Sequence, residues 1–166
     1  MSPARKQVLA PDPAAIRTVL GHFATGVAIV TADDGGQPVG MACNSFTSVS
    51  LEPQLVLFCA AKSSTTWPRI QAAQKWAANI LGEDGEEICR LFAEKGADRF
   101  AHIAYSTGRS GAPLLEAAIA YVDCETLEEH DAGDHVIVVG RVLELGYASE
   151  GKPLLFYRGG YGRFDV

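Results

Sequence analysis

No apolar run in the sequence reaches the eighteen or so residues that a membrane-crossing helix needs; the longest, 55–61 and 136–139, are of strand length. The opening MSPARKQVLAPDP is basic for a few residues but leads into no apolar signal region, so export is not expected and a cytoplasmic protein is. Positive charge is also short: 14 Lys and Arg against 20 Asp and Glu leave −6, with no basic patch, which argues against a nucleic-acid partner. Cys43, Cys59, Cys89 and Cys124 include no C-x-x-C pair to chelate zinc or exchange dithiols, and are expected to be buried free thiols. His22, His102, His130 and His135 never share a helix face at metal-ligand spacing, so no structural metal is expected. Absent too are the G-x-S-x-G elbow of serine hydrolases, the G-x-G-x-x-G of dinucleotide folds and the G-x-x-x-x-G-K-[ST] phosphate loop.

What remains is ordinary globular material. The 166 residues are 48% hydrophobic and 20% charged, with 17 Gly and 8 Pro, enough for one domain with its own core. Asp12-Pro13 reads as an N-cap and first helical position, and Ile16, Val19, Leu20 and Phe23 recur on one face, predicting a helix over 12–24. VAIVT, the Asp-Asp-Gly-Gly turn and residues 38–42 predict a hairpin. Gln54–Ala61 and residues 76–81 are apolar runs of strand length. Between them Trp67, Ile70 and Ala73 mark a short helix opened by Ser and Thr. Asp84 and Glu87 form a capping-box pattern for a third helix running to Gly96. Residues 98–113 read as one long loop, 117–127 and 135–145 as an antiparallel pair, and Leu154–Tyr157 as a last strand before the tail RGGYGRF. About seven turn-linked strands with helices at the margins favour a mainly β, closed antiparallel barrel over a doubly wound parallel sheet.

Four places are suited to chemistry. The segment GMACNSFTSVSLEP sets small and hydroxyl side chains between two apolar strands, so a flat ligand could lie against the backbone of Ala42, Cys43, Asn44 and Ser45 while Ser48 and Ser50 reach sugar or phosphate oxygens. The plain alternative is a Ser/Thr-rich turn. Lys62-Ser63-Ser64-Thr65-Thr66 opens the short helix with free N–H groups, hydroxyls and an ammonium, a phosphate site in principle and otherwise simple N-capping. Gly133-Asp134-His135 forms a turn that could offer a ring to a second ligand, and Tyr157, Arg158 and Tyr161 place aromatics and a guanidinium around a flexible backbone. The plain alternatives are a hairpin turn with an exposed histidine, the commoner case for an isolated G-D-H, and a C-terminal tail.

Taken in order, TGVAIVT, GMACNSFTSVSLEPQLVLF, KSSTTW, DRF, GDHVIVVGRV and PLLFYRGGYG resemble the flavin reductase family with an FMN-binding split barrel, the reductase components of two-component flavin-dependent monooxygenases. The likeness spans about residues 14–164, leaving 1–13 as an extension before a 14–166 domain. It implies an antiparallel Greek-key split β-barrel, a homodimer, and hydride transfer from NADH or NADPH to FMN or FAD for a partner monooxygenase. A non-catalytic flavin-binding module, or a reductase that keeps its flavin for another small molecule, stands as the alternative on the same fold. The resemblance assigns Cys43, Asn44, Ser45 and Ser48 to the isoalloxazine and ribityl contacts, together with Met41, Ala42, Ser50 and Ala60. Lys62, Ser63 and Ser64 fall at the phosphate end, Arg99 and Phe100 at the family's basic-aromatic pair, and His135, Tyr157, Arg158 and Tyr161 with the nicotinamide nucleotide. His102 departs from the small residue usual after the D-R-F-A segment. No acid-base dyad is implied, because the two cofactors carry the chemistry and the protein stacks them.

Overall fold

The computed structural model describes residues 6–96 and 98–164; the first five residues of the expected extension and the last two of the expected domain lie outside them. Helix α1, Pro13–Leu20, starts where Asp12-Pro13 places it, with the Asp12 carboxylate accepting the Ala15 N–H at 2.8 Å. It stops at Gly21 rather than at 24, because the N–H groups of His22 and Phe23 turn back onto the carbonyls of Val19 and Leu20. Among the described residues its apolar stripe is left largely uncovered: Ile16, Val19, Leu20 and Phe23 are 47% to 76% exposed.

Strands β1 (Thr25–Gly26), β2 (Ala28–Asp34) and β3 (Gln37–Cys43) follow. The β2–β3 turn is made by Gly35 and Gly36 at φ 61° and 90°, a conformation that glycine alone adopts without penalty, and the Asp33 carboxylate accepts the Gly36 N–H at 3.0 Å. Then come β4 (Thr47–Leu51), β5 (Gln54–Ala61), α2 (Trp67–Ala73), β6 (Lys75–Leu81) and α3 (Glu86–Ala93). Helix α3 is shorter than the expected 84–96: Gly85 occupies its N-cap without a side-chain bond, the Asp84 capping box does not form, and Glu94 already turns extended. The expected loop 98–113 is interrupted by a small hairpin of β7 (Tyr105–Thr107) and β8 (Pro113–Leu115). Long strands β9 (Ala118–Ala132) and β10 (His135–Tyr147) pair antiparallel, and β11 (Leu154–Tyr157) turns through Arg158 and Gly159 into β12 (Gly160–Arg163). The described residues thus hold twelve strands where about seven were expected; the added ones, β1, β4, β7, β8 and β12, are short pieces of two to five residues.

Seven strands form one antiparallel sheet in the order β3-β2-β6-β9-β10-β5-β4, while β1, β11 and β12 form a second. Because side chains alternate along a strand, β2 serves two cores. Val30 joins Phe58, Trp67, Ile70, Trp76 and Val138, whereas Ile29 joins Leu81, Phe92, Leu115 and Leu154. A buried polar knot fastens β8 across β2 and β6. The Asn79 amide donates to Ile29 O and Thr31 Oγ1, its carbonyl accepts the Leu115 N–H at 2.7 Å, and Thr31 donates to Pro113 O at 2.6 Å. Asp123, fully buried on β9, accepts the N–H of Ser110 at 2.7 Å and its hydroxyl, which holds the turn before β8.

Candidate functional site

The end of β3 and the start of the following loop form one side of a cleft. Ala42, Cys43 and Asn44 line a cleft of about 270 Å³ whose other sides are Val27 of the β1–β2 link, Cys89 and Ala93 of α3, Phe156 of β11 and Tyr161 of β12. Small residues dominate one side and aromatic rings the other; Phe156 and Tyr161 meet edge-on at 5.4 Å. The Tyr161 hydroxyl and the Cys89 thiol are 3.2 Å apart, and the Arg90 guanidinium lies 5.0 Å above the tyrosine ring. The bond to Cys89, then burial, pushes the Tyr161 phenol up to about 12, so it stays a neutral donor. Burial also raises the Cys43 and Cys89 thiols, which leaves both un-ionised. Cys89 and Ala93 went unread in the sequence, although two small residues four apart on a helix share a face and allow close approach.

Around the corner, Ser45 is a tether. Its hydroxyl accepts the Cys59 N–H at 2.9 Å and donates to Cys59 O at 3.3 Å, joining the loop after β3 to β5. Met41 points to the main core, Ala60 is fully buried, and Ser48 and Ser50 ride on β4, the latter accepting the Glu52 N–H. Ser64 accepts the N–H groups of Thr66 and Trp67 at 3.2 and 3.1 Å, so it caps the entry to α2. Lys62, which pairs with Asp131, and Ser63 are exposed. Strand register places Ala61 opposite His135, and Lys62 N–H donates to Asp134 O at 2.9 Å, so the Lys-Ser-Ser segment and the Gly-Asp-His turn are neighbours. His135 Nδ1 lies 2.8 Å from the Asp134 carboxylate. That histidine, with Arg17 of α1 adding a smaller share, holds the Asp134 carboxyl below its usual range.

Tyr157 and Arg158 do not join Tyr161 in the cleft. They sit against the end of α1, where Arg158 N–H donates to Gly21 O at 2.9 Å and Tyr157 meets the His22 ring edge-on at 6.3 Å. Within one chain the four residues grouped with the nicotinamide nucleotide therefore fall at three places. Arg99 and Phe100 both make protein contacts. Phe100 packs edge-on between Phe92 at 5.2 Å and Tyr105 at 5.5 Å. Arg99 Nη1 donates to Gly40 O at 2.6 Å and Thr66 Oγ1 at 2.8 Å, and its Nη2 to Glu94 O. Burial lowers the guanidinium below its ordinary pKa. His102 is exposed at the following bend.

A wall of small residues thus faces an aromatic hairpin across a cleft, and comparison with known proteins shows to which family the chain belongs. The model of the flavin reductase like domain matches residues 20–165. The chain belongs to the flavin reductase family. A flavin reductase of Pseudomonas putida is 47% identical over 154 residues, covering 92% of this chain and 91% of the relative. The reductase subunit HsaB of a flavin-dependent monooxygenase from Rhodococcus jostii is 45% identical, covering 90% and 77%. Among solved structures, the NADH:FAD oxidoreductase SgcE6 of Streptomyces globisporus, in complex with NAD and FAD fragments, superposes with a TM-score of 0.91 at 36% identity over 96% of this chain and 98% of that one. The flavin reductase fold is therefore mainly β with antiparallel sheets in this chain, as expected; no helix among the described residues is long and apolar enough to cross a membrane.

Proposed function

We propose that the protein is an NAD(P)H-dependent flavin reductase that passes hydride from NADH or NADPH to FMN or FAD and supplies reduced flavin to a partner monooxygenase. The observation that carries this is the cleft between Ala42-Cys43-Asn44 and Phe156-Tyr161, in a chain similar over nine-tenths of its length to flavin reductases. These residues fit a flavin: Ala42 and Ala93 leave room for a ring to approach the backbone, and at about 270 Å³ the cleft takes a ring system rather than a whole dinucleotide. The ribityl chain and phosphate then run past Asn44, Ser45, Ser48 and Ser50 toward Lys62, Ser63 and Ser64, with Met41 and Ala60 behind the wall.

When both ligands are bound, hydride moves from the nicotinamide to the flavin, chemistry that belongs to the cofactors. The chain's own residues orient and shield. Ser45 fixes the wall by clasping Cys59, Tyr161 and Phe156 line the cleft opposite it, and Asp134 orients His135 through Nδ1, leaving Nε2 for the nicotinamide nucleotide. Tyr157 and Arg158 serve that nucleotide from the end of α1. The similarity favours this enzyme over a non-catalytic flavin module.

The sheet is taken to close as a Greek-key split barrel, which the Ser45–Cys59 bonds support by drawing the end of β3 to β5. A homodimer is supported by the exposed apolar stripe of α1. Residues 14–166 are assigned to one domain and 1–13 to an extension, in keeping with the helix cap at Asp12. A cytoplasmic protein without nucleic-acid or membrane partners accords with the net charge of −6. The test is anaerobic mixing of purified protein with each pairing of FMN or FAD and NADH or NADPH, following the visible absorbance of the flavin. Protein-dependent bleaching is expected, and none with any pairing would refute the assignment. His135→Ala is expected to raise the KM for the nicotinamide nucleotide severalfold while leaving flavin affinity unchanged.

A further inference from the structure

We propose that Arg99 is a positioning residue that sets the spacing between the two halves of the flavin site, rather than a ligand to the flavin. The proposal rests on the flavin-reductase reading. Its basis is where the guanidinium spends its donors. Nη1 donates to Gly40 O at 2.6 Å and to Thr66 Oγ1 at 2.8 Å, Nη2 donates to Glu94 O, and Nε is buried without a partner. Every acceptor belongs to the protein, and each lies on a different element that feeds the site.

Gly40 immediately precedes the wall residues Met41, Ala42 and Cys43, and it is pressed against α3 so closely that a Cβ there would stand 2.7 Å from a ring carbon of Phe92. Glu94 is the C-cap of α3, whose Cys89 and Ala93 line the far side of the cleft. A cation on that terminal carbonyl also complements the negative end of the helix. Thr66 is the N-cap of α2, and its own N–H donates to Ser64 Oγ at 3.2 Å, which extends the chain of bonds into the phosphate segment. One side chain therefore bridges wall, cleft floor and phosphate end. Arginine suits the task because its planar fork meets three acceptors at fixed angles, whereas a lysine ammonium offers a single point. The neighbouring Phe100, packed between Phe92 and Tyr105, anchors the segment that delivers it.

The experiment titrates FMN and riboflavin, which differ by the phosphate, against wild type, Arg99→Met, Arg99→Lys, Thr66→Val and the Arg99→Met/Thr66→Val double variant. Folding is checked by near-ultraviolet circular dichroism. Positioning predicts that Arg99→Met weakens both ligands by the same factor, about tenfold, the scale of a lost charge-assisted hydrogen bond. Arg99→Lys should not restore affinity for either ligand. Thr66→Val should weaken both ligands equally but less, and the double variant should be no worse than Arg99→Met alone, because the two residues act through one bond. A loss confined to FMN would mean that Arg99 touches the phosphate and overturns the proposal; so would unchanged affinities in Arg99→Met. If Arg99→Met does not fold, Thr66→Val decides, and unchanged binding of both ligands by it overturns the proposal. Wild type that binds neither flavin would instead remove the flavin-reductase reading itself.

Discussion

Asn79 shows how one residue can be plain in the structure and silent in the sequence. It lies in WAANIL, which reads as an apolar strand, and it is fully buried there. Its partners Ile29, Thr31 and Leu115 are remote in sequence, so no local pattern announces the knot they form. Asn79→Ala is expected to lower unfolding free energy by about 2–3 kcal/mol, because it strands the buried Leu115 N–H and removes the amide that ties Ile29 O to the Thr31 hydroxyl. Urea unfolding measures it, and a loss under about 0.5 kcal/mol would show that the knot contributes little. The wall residues were easier to read. Ala42, Cys43 and Asn44 stand out as small and polar between apolar strands, whereas Cys89 and Ala93 face the same cleft from a helix whose amphipathic pattern gave no hint of a ligand.

Elements defined by their own periodicity were legible, and those defined by distant partners were not. Gln54–Ala61 and Leu154–Tyr157 have the bounds that their apolar runs indicate. The β7–β8 hairpin escaped notice because Thr31, Asn79 and Asp123 hold it in place from other strands. Helix α3 starts at Glu86 rather than at Asp84, whose carboxylate lies 3.7 Å from Arg163 instead of closing a capping box. Strand β10 contains the sharpest steric demand. A Cβ on Gly140 would run into the buried ring of Trp76 and lie 3.1 Å from Cys124 Cβ, at a register shift against β9. Gly140→Ala is expected to destabilise by about 1–3 kcal/mol, since Trp76 is locked edge-on to Phe58 at 4.8 Å and cannot retreat. Gly146→Ala in the same strand meets the Tyr121 ring, which is only half-buried and can swing, so its cost should be smaller. Thermal unfolding of the pair compares them; equal shifts in Tm would contradict the argument.

For the molecule as a whole, the mainly β antiparallel plan and the order of its motifs are readable, while the way the sheets fold over one another is not, because register between far-apart strands leaves little local trace. The same burial that builds the cores sets an alkaline limit. Burial, with the Asp123 charge second, pushes the Cys124 thiol from 9.0 up to about 12. The folded chain then keeps a proton that the unfolded chain releases, so this contribution is fully present below about pH 9 and is lost as pH rises toward about 12, with a slope of at most about 1.4 kcal/mol per pH unit. Cys124→Ala should show a shallower fall in urea midpoint between about pH 8 and about pH 10.5 than wild type, and identical falls would contradict it. The second sheet has a further bearing on how the molecule is made. Thr25 pairs with Phe156 and Gly26 with Leu155, so nearly the whole chain must be threaded out before that ladder can zip. Phe156 and Tyr161 arrive with it, and a nascent chain can grip nothing between Ala42 and Tyr161 until the β11–β12 hairpin has left the ribosome.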